Sequence, residues 1–221
     1  MAYKNRFIAL ICSLILLSAL LLSCTAEESD TKSKDFSGRS QYYALNLSFS
    51  VWLKTNDAAA ATTATGDETS DETFSDNIDW IVTSEQNSLT LRHKTEYFII
   101  TIKQYPKYSM AEAGVTDTTS FIDFYKKFDG KPLYESGVSE TVLDVNAGLI
   151  SGTPFKSGKR QLLKSPEGSE DAVTWELIYL DSEENFYTIS YGNASDKFDS
   201  AKTTTEELIG YITEAVKEEA S

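Results

Sequence analysis

Both cysteines of this 221-residue chain, Cys12 and Cys24, fall within its opening stretch. Everything beyond them must fold without a disulfide, a thiolate metal site or a cysteine nucleophile. A hydrophobic core has to hold such a chain together, and roughly 150 ordered residues are enough to build one.

The opening stretch has a pattern of its own. Lys4 and Arg6 precede an apolar run from Phe7 to Leu22 that is broken only by Ser13 and Ser18. Positive charge followed by an apolar run is the order of an export signal. As a helix the run spans about 24 Å, short of the roughly 30 Å of a hydrocarbon core, with a short transmembrane anchor as the alternative. Leu21-Leu22-Ser23-Cys24 resembles the lipobox of bacterial lipoproteins. The resemblance implies cleavage after Ser23 and a diacylglyceryl group on Cys24, leaving the chain lipid-anchored on the extracytoplasmic side of the cell membrane. Two or more acyl chains hold a protein stably where one does not. Thr25 follows, so the Asp of one common inner-membrane retention signal is absent there.

The chain has 20 basic and 34 acidic side chains, a net charge of −14. Without Lys4 and Arg6 the exported part has 18 against 34, or −16. Such a surface repels nucleic acid and anionic membrane, which makes both poor partners for the domain itself.

The segment 24–40 is polar and reads as a flexible tether, followed by a single domain over 41–219. Tyr42 to Leu53 alternates, with Tyr43, Leu45, Leu47, Phe49 and Val51 on one face, which predicts a half-buried strand. The stretch 55–77 is rich in Ala, Thr, Ser and acidic residues and reads as a polar loop insert. Its Asp67, Glu68, Asp71 and Glu72 lack the spacing and glycine of an EF-hand loop, so no metal site is assigned. Strands are expected at Trp80–Val82, Ser88–His93 and Tyr97–Gln104, the last buried on both faces and stopped by Pro106. Asp117 to Phe128 reads as a capped helix with the stripe Phe121, Ile122, Phe124, Tyr125 and Phe128, and Gly130 sits where a left-handed residue ends a helix. Leu133–Asn146, Gly148–Phe155, Ala172–Leu180 and Phe186–Tyr191 read as further strands. Phe155–Asp171 reads as a turn-rich excursion. A helix over Thr204–Glu218 closes the chain. Hairpin-linked strands with few helices predict the α+β class: an antiparallel sheet of about six to seven strands covered by helices.

Three stretches are similar to the PsbP-like family: Tyr43–Val51, Asn185–Gly192 with Phe198 beyond it, and the closing amphipathic helix. The resemblance spans about residues 41 to 217 and implies an α/β/α sandwich whose shared theme is protein binding and assembly support. Family members place Pro and Trp soon after the first strand. Here the polar insert stands there, and Trp80 takes the place of that Trp.

The residues themselves point away from most catalysis. His93 is the single histidine, set in a predicted strand with no nucleophile signature beside it, and reads as a solvent-facing residue. Gly158-Lys159-Arg160 is not a phosphate loop. No catalytic, metal or cofactor residue is assigned. The expected role is a non-catalytic binding or assembly module, joined to the membrane through lipid on Cys24 and to a protein partner at the cell envelope. A binder of a small or apolar ligand is the alternative, and a carboxylate-based hydrolase a third.

Overall fold

The computed structural model describes residues 34–43, 47–55, 73–135, 137–166 and 168–214. Ser23 and Cys24 lie outside these residues, as do Leu45, the four acidic residues of the insert and the chain past Glu214. The compact unit that carries the fold begins at Phe36.

Eleven strands form two antiparallel sheets among the described residues. The larger has eight strands. In sheet order these are β3 (Thr73–Asp76), β4 (Trp80–Glu85), β5 (Ser88–His93), β6 (Ile99–Pro106), β10 (Asn185–Ala194), β9 (Val173–Asp181), β8 (Ser157–Lys164) and β7 (Ser139–Asp144). The smaller joins β1 (Arg39–Tyr42), β2 (Phe49–Lys54) and β11 (Ile212–Glu214). The helices are α1 (Lys107–Glu112), α2 (Thr118–Lys127), α3 (Lys131–Glu135), α4 (Ala147–Ile150) and α5 (Phe198–Ile209). This is the expected α+β class with more strands than expected.

Alternation decides the layers. Even residues of β6 (Ile100, Ile102), odd residues of β10 (Tyr187, Ile189, Tyr191) and even residues of β9 (Ile178, Leu180) pack with Phe49, Val51, Leu208, Ile209 and Ile212 into the main core. The small sheet and α5 therefore cover that face. The opposite face contributes Leu163, Leu177, Tyr179 and Phe186 to a second cluster with Phe121, Ile122 and Tyr125 of α2. Each fully buried side chain of this size contributes roughly 1.5–3 kcal/mol.

Several expectations change. Tyr42–Leu53 is two antiparallel strands, with Tyr42 opposite Val51, and Tyr43 is exposed while Leu47, Phe49, Val51 and Leu53 are buried. The tether therefore ends earlier than residue 40: Phe36 packs on Trp52, and β1 starts at Arg39. The insert also ends earlier, since Thr73–Asp76 pairs with β4, and buried Asn77 donates from Nδ2 to Tyr42 Oη and to the Lys54 carbonyl. Lys131–Glu135 is helical, and the strand after it starts only at Ser139. Gly148–Phe155 is a helical turn, in which the Asn146 side chain accepts from Gly148 N–H, followed by bends. The expected excursion contains β8. The last helix ends at Gly210, so Ile212 belongs to a strand.

Helix α2 forms where the capping signal predicts it. Asp117 Oδ1 accepts from the Ser120 N–H at 2.8 Å, and Ser120 Oγ accepts from the Asp117 N–H at 3.1 Å. Gly130 is not left-handed; a Cβ there would lie 2.5 Å from the Tyr125 ring, so close packing requires the glycine. The bonds from Ser120 hold the Asp117 carboxyl below its ordinary 3.8. A depressed folded value stabilises fully above the unfolded value and is lost as pH falls through the folded one. Asp117→Ala is therefore expected to flatten the acid limb of stability below pH 3.8, read from melting temperature against pH.

Candidate functional site

Helices α1 to α3 cover only part of their face. Over β4 to β6 that face is more open among the described residues, and side chains directly opposite in register form three rows on it. The first row is Ile81, Arg92 and Ile99, the second Thr83, Thr90, Thr101 and Ser190, the third Glu85, Ser88 and Lys103. Ile81 is 38% and Ile99 43% exposed. The expectation that both faces of Tyr97–Gln104 are buried fails here: Phe98, Ile100 and Ile102 are buried, while Tyr97 and Ile99 face outward. Tyr97 also has φ 56, unusual for a residue with a side chain.

A groove of about 670 Å³ lies at the step where the helix layer meets this open half. Glu85, Lys103, Tyr105, Met110 and Asp129 line it. Pro106 ends β6 and turns the chain into α1, which brings Met110 over the strand end. Asp129, just past α2, accepts from Tyr105 Oη at 2.6 Å and lies 3.9 Å from Lys103 Nζ. Burial, reinforced by Asp129, pushes the Tyr105 phenol well above its ordinary value, so it stays a neutral donor. Ser88 Oγ donates to Glu85 Oε2 at 3.1 Å. The groove thus offers an aromatic and thioether wall beside paired charges. That chemistry suits hydrogen bonding and apolar contact.

The other polar clusters are internal ties. Arg160 on β8 donates from Nε and Nη2 to the two oxygens of Glu176 on β9, at 2.7 and 2.8 Å, and from Nη1 to Glu206 on α5 at 2.7 Å. Tyr191 Oη donates to Glu176 as well. These bonds, first those from Glu176, hold the guanidinium further above its ordinary value. Beneath α2 and α3, Gln161 Oε1 accepts from Tyr134 and Tyr179, and Gln161 Nε2 donates to Glu140. Burial pushes the Tyr125 and Tyr134 phenols up to about 12.

His93 does not face solvent. Alternation turns it onto the covered face, where its ring stacks on Phe98 with centroids 5.3 Å apart and meets Trp80 edge-on. Its Nδ1 accepts from the Glu96 N–H at 3.1 Å. Sequence reasoning did not find Tyr105 and Asp129, which are ordinary among 12 tyrosines and 34 acidic residues, nor Met110, which no motif singles out. The available signal was Pro106, which sends the chain sharply back over the strand end.

Among the described residues no group of three or more His, Cys, Asp or Glu is placed to hold a metal ion. Among the same residues no helix is long and apolar enough to cross a membrane. No family model and no curated protein matches the chain.

Proposed function

We propose that this chain is an extracytoplasmic lipoprotein, cleaved after Ser23 and anchored through Cys24, whose PsbP-like α/β/α domain is a non-catalytic protein-binding or assembly module at the cell envelope. The observation that carries the reading is the open half-face, where Ile81 and Ile99 flank Arg92 beside a row of hydroxyl side chains. A flat surface of exposed aliphatics with a polar rim suits a protein partner. The charge of the domain disfavours nucleic acid as the occupant.

Two measurements test it. Cys24→Ser is expected to move the protein from the membrane to the soluble extracytoplasmic fraction. A photo-crosslinking residue at Ile99 is expected to capture one protein in the anchored chain, and Ile81→Glu is expected to abolish that capture. A photo-crosslinker at exposed Phe128, just past α2, serves as the control. Labelling of lipid alone from position 99, or equal capture from position 128, sinks the reading.

The groove favours a second reading, binding of a small, partly apolar ligand. Its volume falls within the roughly 300–1,000 Å³ of such sites. Native mass spectrometry of the exported protein would show a retained mass that Met110→Glu removes.

A further inference from the structure

Among the described residues the large sheet ends at β3 and at β7, and the six residues of β7 are all exposed, with Val142 at 42% and Leu143 at 62%. Edge strands are ordinarily guarded by proline, a bulge or free charge. Here Ser139–Asp144 has no proline and pairs residue for residue with β8, without a bulge. Each of its two acidic side chains has a lysine partner within the chain. Glu140 is 2.7 Å from Lys126 Nζ, and Asp144 is 2.5 Å from Lys159 Nζ. On a strongly acidic chain this strip presents backbone groups and aliphatics without net charge.

We propose that β7 pairs antiparallel with β7 of a second copy of this chain, joining two eight-stranded sheets across a two-fold axis at Thr141. Val145 N–H donates to the Gly158 carbonyl at the end of the β7–β8 ladder. Antiparallel alternation then ties Ser139, Thr141 and Leu143 to β8 and turns the N–H and C=O groups of Glu140, Val142 and Asp144 outward. A second copy must pair those outward groups with its own, which leaves only registers that match even residues with even. Glu140 opposite Glu140, and Glu140 opposite Asp144, each set like charges together. Centring the axis on Thr141 instead sets Glu140 opposite Val142 and Thr141 opposite itself, with no like charges facing. An axis on Leu143 also keeps like charges apart but pairs only Val142 to Asp144 within the strand, whereas the axis on Thr141 pairs Ser139 to Leu143, so charge, ladder geometry and paired length together select this register. The inference goes beyond the proposed function and does not depend on it, because β7 and the open half-face lie on different parts of the sheet.

The test uses the full chain, exported and held in its membrane or in detergent. Thr141 would meet its copy in a non-hydrogen-bonded pair, with Cα atoms about 4.5 Å apart, close enough for a disulfide. Thr141→Cys is therefore expected to give a band at twice the monomer mass on a non-reducing gel after mild oxidation. Val142→Cys should give much less, and the unsubstituted chain reports any background from Cys12 and Cys24. Sedimentation in detergent supplies a second readout. Val142→Glu opposes Glu140 twice across the axis and should weaken the dimer roughly ten- to thirtyfold, whereas Val142→Lys should keep it. Val142 is exposed in the monomer, so both variants are expected to fold. Four results overturn the proposal: no Thr141→Cys band above background, stronger linkage from Val142→Cys, linkage to a different protein, or equal behaviour of the Glu and Lys variants.

Discussion

Replacing Arg160 with methionine is expected to cost about 3–5 kcal/mol and to lower the thermal midpoint by roughly 10 °C. The arginine side chain is 15% exposed and that of Glu176 only 6%, so the carboxylate left behind has little water to turn to. Tyr191 would still donate to it, but one neutral donor does not replace a bidentate guanidinium. The cost is that of a stranded charge, not the net value of the ion pair. Arg160→Met with Glu176→Gln is therefore expected to recover much of the loss, since the buried charge is gone from both sides. Glu206→Gln, at a more exposed position, should cost less than about 1 kcal/mol. Denaturant unfolding of the single and double variants measures all three. A loss below about 1 kcal/mol in the Arg160 variant would mean that solvent reaches Glu176 and the buried-charge account is wrong. The effect should extend to α5, because Arg160 is what ties Glu206 of that helix to the sheet.

Phe121→Ala is expected to cost about 3–5 kcal/mol, and Phe128→Ala less than about 0.5 kcal/mol. The two phenylalanines belong to one apolar stripe of α2, yet their surroundings differ. Phe121 is fully buried, stacked on Phe186 at 4.9 Å with the rings of Tyr105 and Tyr179 at 5.1 and 5.8 Å. Phe128 lies just past the last turn and is 53% exposed. Loss of Phe121 should also loosen the groove. It removes the ring beside Tyr105 and frees α2, whose end delivers Asp129 to the Tyr105 hydroxyl. Hydrogen exchange would show this as faster exchange in Thr118–Lys127 than in β9 and β10. Uniform exchange across all three would mean that α2 opens only with the whole domain.

Elements whose signals are local were legible. β5 and β10 alternate with strong β-formers, and α2 has its capping pair three residues apart ahead of an apolar stripe. β8 was not legible because polar Arg160 and Gln161 turn inward beside its two leucines. Gln161 is buried by bonds to Tyr134, Tyr179 and Glu140, and Arg160 by Glu176 and Glu206. Each residue of β8 pairs with residues ten or more positions away in sequence, from Lys164 opposite Thr174 outward, so no short window reveals the strand. The close of the chain misled for a related reason. Ile212 continues the helical spacing of Leu208 and Ile209, but β2 is already waiting to pair with it opposite Val51. Tertiary pairing overrode a local period.

The cysteines mark the same boundary. Sequence alone determined that nothing past Cys24 can be held by a disulfide or a thiolate, since that follows from residue identity. It likewise determined the α+β class and the acidic surface, because periodicity and charge are properties of the chain read along its length. The tertiary structure alone decided that Ile99 faces outward while Ile100 is buried, that Arg160 sits between two carboxylates, and that β7 has an open edge. Each of these depends on which element comes to rest over which face. A side chain carries no record of what will cover it.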